Sequence, residues 1–440
     1  MSKYFGTDGF RGRFGINITI EHALKIGQYL GFYYSLMNVE GIIIGMDTRE
    51  SSPFLKTAVT MGINSFGVDV YDLEVTPTPA VAYLSGTYSM PGVMISASHN
   101  PYWDNGIKLF NEKGEKMDEE VIHALEVFMD SNDTPYSEKE KGRIIPFKAG
   151  TLAYVDFLVS KAKDYDGLNV IIDTANGAAS EVAKEVFKRL KGNYTFINDK
   201  PDGKNINNGC GSTSLGAVSN EVKAGKYNIG FAFDGDADRC LFTDENGKEL
   251  SGDHLLYFVG KYMYEKGLLS NDTVVATVMS NIGLDKSLEK LNINTKRVDV
   301  GDKNVYLEMK KNHLNFGGEQ SGHIIFFDDL NTGDALLTSI KILNILAETK
   351  KSVSSLVKDL VIYPQVLKNV VVNDKEKILN NPELLGLIKS LEDEVEDSGR
   401  ILVRASGTEM KIRVMAEAST MDLANAIVDK IVAKIEEINN

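Results

Sequence analysis

Short apolar runs alternate with longer amphipathic segments along most of the chain. Such runs are typical of buried strands, and apolar residues at helical spacing are typical of helices packed on a sheet. Three strand-and-helix units are alike, each passing through a polar turn; their strands are predicted at residues 41–46, 168–172 and 273–278. We therefore predict an α/β fold of three related domains with mixed, largely parallel sheets.

The pattern changes at about Pro364. The elements predicted beyond it are strands at 370–372, 400–404 and 412–416, a helix at 375–392 broken at Asn381-Pro382, and a final helix at 424–437. They predict a smaller C-terminal α+β domain. Breaks in composition place the domains at residues 1–147, 148–250, 251–363 and 364–440.

The composition is that of an ordinary folded multidomain protein, with 440 residues of which 43% are hydrophobic and 25% charged. Lys and Arg number 48 against 62 Asp and Glu, so the net charge is −14. This charge argues against nucleic acid or an anionic membrane surface as the main partner. An anionic ligand would need a local cluster of cationic side chains.

Two cysteines, Cys210 and Cys240, cannot form a disulfide framework in a chain of this length. The amino terminus carries no apolar segment of signal-peptide length, and no run of 18 uninterrupted apolar residues occurs. We therefore expect a cytoplasmic protein that is neither exported by a signal peptide nor membrane-spanning.

A cluster of three carboxylates, Asp234, Asp236 and Asp238, follows an apolar strand. With small residues between them, the three can converge on one hard cation. An EF-hand is excluded because Arg239 occupies the position that needs glycine and the flanks are strand-like. Mg²⁺ is the predicted ion, with a solvated acidic turn as the alternative.

A Ser-His pair, Ser98 and His99, follows a second apolar strand and precedes a turn at Asn100-Pro101. No nucleophile elbow surrounds Ser98, and neighbours on an extended strand face opposite sides, so His99 is poorly placed as its base. Lys108 lies on a predicted strand that could return beside the first and aim its ammonium at Ser98. A structural Ser-His pair and a solvated lysine remain alternatives.

A candidate phosphate-binding loop lies near the carboxyl end. Gly407 allows successive backbone N–H groups to face one point, and Ser406 and Thr408 add hydroxyl donors. Arg404 and Arg413 supply forked positive charge. A plain loop is the alternative.

Two more glycine-rich segments are candidate ligand contacts. Glu319, Ser321 and His323 lie among glycines that let the backbone approach a polyhydroxylated ligand, and on an extended segment Glu319 and Ser321 would share a face. Arg11, in the segment at 6–12, is a candidate phosphate contact. A glycine-rich connection and a structural turn are the respective alternatives.

In order and spacing, five of these segments resemble the motifs of the α-D-phosphohexomutases: 6–12, 96–101, 234–239, 317–323 and 404–409. The resemblance covers essentially the whole chain. The Gly-Glu-Gln-Ser-Gly-His sequence from Gly318 is most similar to the phosphoglucosamine mutase branch of that family.

The resemblance implies a heart-shaped protein of four domains in which Ser98 carries a phosphoryl group. It implies that Ser98 and the three aspartates hold Mg²⁺, and that Arg11, His99, Lys108 and Arg239 take part in catalysis. The implied substrate contacts are Glu319, Ser321, His323, Arg404, Ser406, Gly407, Thr408 and Arg413.

Three departures from the family pattern stand out. Lys303 replaces an expected arginine, which keeps the charge but loses the bidentate fork. Ala405 and Met410 replace expected prolines in the phosphate loop.

The implied reaction interconverts glucosamine 6-phosphate and glucosamine 1-phosphate through a phosphoserine and a 1,6-bisphosphate, on the route to amino-sugar and cell-wall precursors. A hexose 1,6-bisphosphate would act as activator, the partner is a small sugar phosphate, and a homodimer is suggested. The alternatives are a phosphomannomutase or phosphoglucomutase, or a sugar-phosphate-binding protein without mutase activity.

Overall fold

The computed structural model describes residues 3–37, 39–132, 136–395, 398–406 and 410–439. Contacts between residues divide the chain into two compact units. The first unit contains Met1–Met279 and Thr295–Val357, and the second contains Ser280–Asn294 and Lys358–Asn440. The domain boundaries expected from the sequence remain predictions.

The first sheet of the first unit has seven strands in the order β1-β2-β6-β5-β3-β4-β7. Four of them (β5, β3, β4 and β7) run parallel, and β6, β2 and β1 add antiparallel pairs at one side. The strands are β1 Phe5–Gly6, β2 Gly9–Arg13, β3 Gly41–Met46, β4 Asp69–Val75, β5 Gly92–Ile95, β6 Asp104–Phe110 and β7 Ile144–Pro146. The accompanying helices are α1 Ile20–Ser35, α2 Ser52–Asn64, α3 Thr78–Tyr88 and α4 Glu119–Asp130.

The second sheet has the order β12-β11-β10-β8-β9, in which β10, β8 and β9 are parallel and β11 and β12 antiparallel. Its strands are β8 Asn169–Asp173, β9 Asn193–Ile197, β10 Ile229–Phe233, β11 Cys240–Thr243 and β12 Glu249–Leu250. Its helices are α5 Lys148–Ser160, α6 Ser180–Lys188 and α7 Gly216–Ala224, with a 3₁₀ turn at Gly211–Thr213.

The third sheet has the order β14-β13-β15-β16, with β13 and β15 parallel and β15 and β16 antiparallel. Its strands are β13 Thr273–Thr277, β14 Asn294–Val298, β15 Phe316–Gly318 and β16 Ile324–Phe326. The helices of the first unit in this part of the chain are α8 Gly252–Glu265, α10 Asp302–Asn312, α11 Ala335–Thr349 and α12 Val353–Val357, and a 3₁₀ turn spans Ser270–Asp272.

The second unit is built on a three-stranded antiparallel sheet in the order β17-β19-β18. Its elements are α9 Ile282–Glu289, β17 Gln365–Val371, α13 Lys375–Leu379, α14 Pro382–Val395, β18 Arg400–Ala405, β19 Lys411–Glu417 and α15 Met421–Asn439. Its core packs one face of the sheet against the apolar face of α15, with Ile412, Val414, Ile427 and Ile431 fully buried.

The α/β prediction, with mixed sheets and a smaller C-terminal sheet domain, is confirmed. The apolar run predicted at 41–46 is β3, because a strand covered on both faces must be apolar throughout. The predicted break at Asn381-Pro382 separates α13 from α14, where Pro382 takes the first helical position that suits its fixed φ. Within the described residues, no helix has both the length and the apolar character that crossing a membrane requires.

Candidate active site

Ser98 lies in the turn between β5 and β6, fully buried and with left-handed backbone (φ 51°). Its hydroxyl donates to Asp234 Oδ2 at 2.5 Å and lies 3.2 Å from His99 Nδ1. The expectation that Ser98 and His99 face opposite sides, which made His99 poorly placed as a base, is wrong. The strand ends at Ile95, so the two side chains do not follow the alternation of an extended strand.

The buried guanidinium of Arg49, a residue that the sequence reasoning missed, holds the turn that contains Ser98. Arg49 donates through Nη2 to the carbonyl oxygens of Ser98 (2.8 Å) and Asn100 (2.9 Å), and through Nη1 to that of Asp104 (3.0 Å). Its Nε bonds Asp47 Oδ2 at 2.8 Å, and both side chains are fully buried. Arg49 therefore fixes the main chain that carries Ser98.

Arg49→Leu should destabilise the protein by about 3–5 kcal/mol, because it leaves the Asp47 carboxylate buried without its cation. Urea denaturation followed by circular dichroism measures the effect. Arg143→Leu is the control, since Arg143 pairs with Asp69 at 2.6 Å but its side chain is 78% exposed. The control should cost at most about 1 kcal/mol. Equal costs for the two variants would contradict the anchoring role of Arg49.

The three aspartates follow β10 in a tight turn before β11, and all are buried. One oxygen from each lies within 4.8 Å of the others. Asp236 Oδ1 and Asp238 Oδ1 are buried and accept no hydrogen bond from a described protein group. A buried carboxylate oxygen without a donor is costly, and a hard cation bound there would satisfy it. The burial contradicts a solvated acidic turn, and the residues form a candidate metal site.

Lys108 lies on β6 directly opposite Met94 of β5, in the predicted return of that strand. Its Nζ is 2.7 Å from Asp236 Oδ2, 2.8 Å from Asp238 Oδ2 and 3.3 Å from Asp8 Oδ2. Burial alone would lower the pKa of Lys108, but the carboxylates of Asp236 and Asp238 outweigh it and raise the pKa. Lys108 is therefore a buried ammonium, not a solvated surface lysine.

Two arginines add positive charge around the aspartates. Arg11 lies on β2 and pairs with Asp8, and the Nε of Arg239 is 3.9 Å from Asp238 Oδ1. In both guanidiniums, Nε is buried and donates no hydrogen bond to a described group. These N–H groups are donors that an anionic ligand could use.

His99 is a neutral imidazole at physiological pH. Burial lowers its pKa to about 4, and the nearby charges of Arg239 and Arg11 act in the same direction. In this form one ring nitrogen accepts a hydrogen bond and the other donates one.

The segment from Glu319 to His323 is the turn of the β15–β16 hairpin and not the extended segment expected from the sequence. The turn closes where Glu319 N–H donates to the His323 carbonyl at 2.9 Å. Gly322 has φ 92°, and a Cβ there would lie 2.6 Å from the Cys240 carbonyl oxygen. Glycine thus lets the hairpin pack against the start of β11. Glu319 and Ser321 still lie side by side, with Ser321 Oγ 3.4 Å from Glu319 Oε2.

His323 lies behind the aspartates. Gly333 N–H donates to its Nε2 at 2.9 Å, and its Nδ1 is 3.7 Å from Asp238 Oδ1. Its side chain is buried. Both ring nitrogens therefore face protein groups, and the contact of His323 with substrate remains a prediction.

In the second unit, Arg404 and Arg413 face each other across β18 and β19. Ser406 Oγ is buried and bonds to no described group, and Lys375 Nζ donates to the Ser406 carbonyl at 2.9 Å. Gly407 and Thr408 lie outside the described residues. Lys375, which sequence reasoning missed, is a further cation beside the predicted phosphate loop.

Lys303, the departure from the family pattern, lies in the first turn of α10. Its Nζ bonds Glu119 Oε1 at 2.6 Å. Asn207 was also missed: its Nδ2 donates to the Ser98 carbonyl at 2.8 Å, across 109 residues of sequence. No local pattern marks a contact of that separation.

Four profiles of one family match consecutive parts of the chain. All belong to phosphoglucomutase/phosphomannomutase: alpha/beta/alpha domain I at residues 2–135, domain II at 152–247, domain III at 251–363 and the C-terminal domain at 367–434.

Curated relatives match over the full length. The phosphoglucosamine mutase of Streptococcus mutans serotype c is 45% identical over 439 residues, 98% of each chain. That of Lachnoclostridium phytofermentans is 44% identical over 442 residues, 99% of each chain.

Solved structures share the fold. The phosphoglucomutase/phosphomannomutase family protein from Burkholderia thailandensis has a TM-score of 0.81 at 22% identity, covering 100% of this chain and 98% of that one. Aspergillus fumigatus N-acetylphosphoglucosamine mutase in complex with GlcNAc-6P and magnesium has a TM-score of 0.71 at 18% identity, covering 100% and 96%.

The resemblance inferred from the five motifs is thus confirmed along the whole chain by the four profiles and by the full-length relatives. The chain belongs to the phosphoglucomutase/phosphomannomutase family and, within it, to the phosphoglucosamine mutases.

Proposed function

We propose that this chain interconverts glucosamine 6-phosphate and glucosamine 1-phosphate, with Ser98 as the residue that gives and takes the phosphoryl group. The observation that carries the proposal is the position of the Ser98 hydroxyl. It is buried against Asp234 of the aspartate cluster, in a site that also contains Lys108 and Arg239. A nucleophilic oxygen beside a cation site and positively charged donors suits phosphoryl transfer.

In the first half-reaction, the bond between phosphorus and Ser98 Oγ breaks and a bond to O1 of the sugar 6-phosphate forms. In the second, the bond between phosphorus and O6 of the 1,6-bisphosphate breaks and the bond to Ser98 Oγ forms again. The Ser98 hydroxyl can exchange its proton with Asp234 Oδ2 or His99 Nδ1, 2.5 and 3.2 Å away. The protein therefore ends each cycle as it began.

Lys108 is the proposed acid and base for the sugar oxygens. As an ammonium it can protonate O6 when that oxygen leaves, and as the resulting amine it can take the proton of O1 in the next cycle. The raised pKa of Lys108 beside Asp236 and Asp238 favours the ammonium in this dephosphorylated form.

The aspartates and the Ser98 oxygen would hold Mg²⁺, which supplies neutralising charge to the transferring phosphoryl group when bound. Two features support this assignment: the buried Oδ1 atoms of Asp236 and Asp238, which accept no hydrogen bond from a described group, and the magnesium in the fungal relative. Arg11 and Arg239 offer to the phosphoryl oxygens their Nε groups, which donate no hydrogen bond to a described group.

The remaining predicted contacts divide between the sugar and its second phosphate. The Glu319 carboxylate would accept hydrogen bonds from sugar hydroxyls, and the Ser321 hydroxyl would donate to them. The proposed ligands of the phosphate that is not being transferred are Arg404, Ser406, Gly407, Thr408 and Arg413. The fungal relative was solved with GlcNAc-6P, a sugar phosphate of the same class.

The unphosphorylated protein would need priming. A hexose 1,6-bisphosphate can transfer one phosphoryl group to Ser98 and so act as activator.

The expected homodimer remains a prediction, which sedimentation of the protein in solution would test.

A substrate panel tests the proposed specificity. With catalytic hexose 1,6-bisphosphate and Mg²⁺, kcat/KM on glucosamine 6-phosphate should exceed that on glucose and mannose 6-phosphates by at least about tenfold, a difference of about 1.4 kcal/mol in transition-state binding. Equal or better turnover of glucose or mannose phosphates would instead assign a phosphoglucomutase or phosphomannomutase. Binding without turnover of any of them would assign a binding protein.

A further inference from the structure

Thr78, which is not among the predicted site residues, forms a hydrogen bond with Asp236 of the candidate metal site. The two residues belong to parts of the chain with different sheets. Thr78 is the first residue of α3, a helix that packs against strands of the first sheet. Its hydroxyl donates to Asp236 Oδ2, and its N–H donates to the Asp236 carbonyl at 2.9 Å. Thr78 therefore binds both the side chain and the main chain of one aspartate.

The two carboxylate oxygens of Asp236 differ in their hydrogen bonding. Oδ2 accepts from Thr78 and from Lys108, whereas Oδ1 is buried and bonds to no described group. A carboxylate held on one oxygen presents the other in a fixed direction. That free oxygen lies in the cluster with Asp234 and Asp238.

Lys108 cannot provide this fixed direction alone. Its ammonium is on a flexible stem and is shared among three carboxylates, those of Asp8, Asp236 and Asp238. Thr78, by contrast, is 2% exposed, begins an 11-residue helix and has its own backbone bonded to the aspartate that it orients. Its β-branched side chain has few χ1 rotamers, and its hydroxyl already donates to Asp236 Oδ2 from the start of the helix.

We propose that Thr78 is a positioning residue for metal binding: by holding Asp236 Oδ2, it aims Oδ1 at the cation. The inference rests on the proposed metal site at the three aspartates. Partners that orient a metal ligand commonly change metal affinity by about 10–100-fold when removed. The effect should fall on metal affinity and not on the chemical step.

Isothermal titration of Mg²⁺, and electron paramagnetic resonance of Mn²⁺, into the full-length unphosphorylated protein test the proposal. Thr78→Val keeps the shape and removes the hydroxyl, so the Kd for either ion should rise about 10–100-fold. Thr78→Ser keeps a hydroxyl and should restore Kd to within about threefold of the native value.

Thr76→Val is the matched control. Thr76 is also fully buried and two residues away, but its hydroxyl bonds to no described group. Its variant should bind both ions as the native protein does. Activity provides a second readout: Thr78→Val should need about 10–100-fold more Mg²⁺ for half-maximal rate, with kcat at saturating Mg²⁺ close to native.

The outcomes separate the two claims. If the native protein binds neither ion, the proposed metal site itself fails. If the native protein binds them and Thr78→Val binds equally well, the site stands and the role of Thr78 is overturned. An equal loss in Thr76→Val would also overturn it, because a general packing effect would then suffice. Should Thr78→Val not fold, Thr78→Ala is titrated in its place, with the same loss expected and native affinity again contradicting the proposal.

Discussion

Ser98→Ala should abolish mutase turnover, with kcat lowered by at least about 10⁴-fold. Alanine has no oxygen to form the bond to phosphorus, and no other described hydroxyl donates to Asp234 in its place. Coupled assay of glucosamine 1-phosphate formation measures the loss. Titration of a hexose 1,6-bisphosphate should show that the variant still binds the ligand.

Ser89→Ala is the control for the backbone. Ser89 follows the last residue of α3 and has φ 52°, almost the same left-handed conformation as Ser98 at 51°, but its side chain is exposed. Alanine is equally strained at both positions, so this variant reports the cost of the backbone alone. Its turnover should stay near native. Substantial turnover by Ser98→Ala would remove Ser98 from the mechanism.

Lys108→Met should lower kcat by about 10²–10⁴-fold, the usual contribution of a positioned acid or base. Methionine keeps the length of the side chain but can neither hold nor move a proton. Because the variant removes a positive charge between Asp236 and Asp238, Mg²⁺ should bind at least as tightly as to the native protein. Steady-state kinetics and Mg²⁺ titration measure the two effects separately.

Two further variants refine the role of Lys108. Lys108→Arg keeps the charge but cannot release a proton, so it should remain slow if proton transfer matters. Lys56→Met removes a lysine from another ion pair with little exposure, 2.6 Å from Asp72, and should leave kcat unchanged. Near-native turnover by Lys108→Met would contradict the acid-base assignment, and full rescue by Lys108→Arg would reduce the role to charge alone.

The α/β fold could be predicted because several of its buried strands are continuous apolar runs in the sequence. The run at Gly41–Met46 is the interior strand β3, and the strand carrying Lys108 returns beside β5 as expected. The aspartate cluster was readable for a similar reason, since three carboxylates between two strands of one hairpin are local in sequence.

What could not be read from the sequence depends on backbone conformation or on distant contacts. Ser98 has a left-handed φ and its hydroxyl lies beside His99, and Gly322 has a positive φ within a hairpin turn where an extended segment was expected. The identity of a serine or a glycine does not determine whether its φ is positive or negative. Arg49 and Thr78 act across 49 and 158 residues, so only the folded chain reveals them.

The net charge of the protein is −14, and Arg11, Lys108 and Arg239 offset most of the negative charge of the aspartates in the first unit. The proposed Mg²⁺ would make the site positive and so suited to an anion. Local charge, not the total, decides what such a site attracts.

Mass spectrometry of Ser98 during turnover tests the central claim most directly. The full-length protein is incubated with a hexose 1,6-bisphosphate and Mg²⁺, digested, and then compared with a sample exposed to excess glucosamine 6-phosphate. One phosphoryl group should appear on Ser98 after the first incubation and pass to the sugar, as a glucosamine 1,6-bisphosphate, after the second. A protein that turns over glucosamine 6-phosphate while Ser98 stays unmodified throughout would contradict the account.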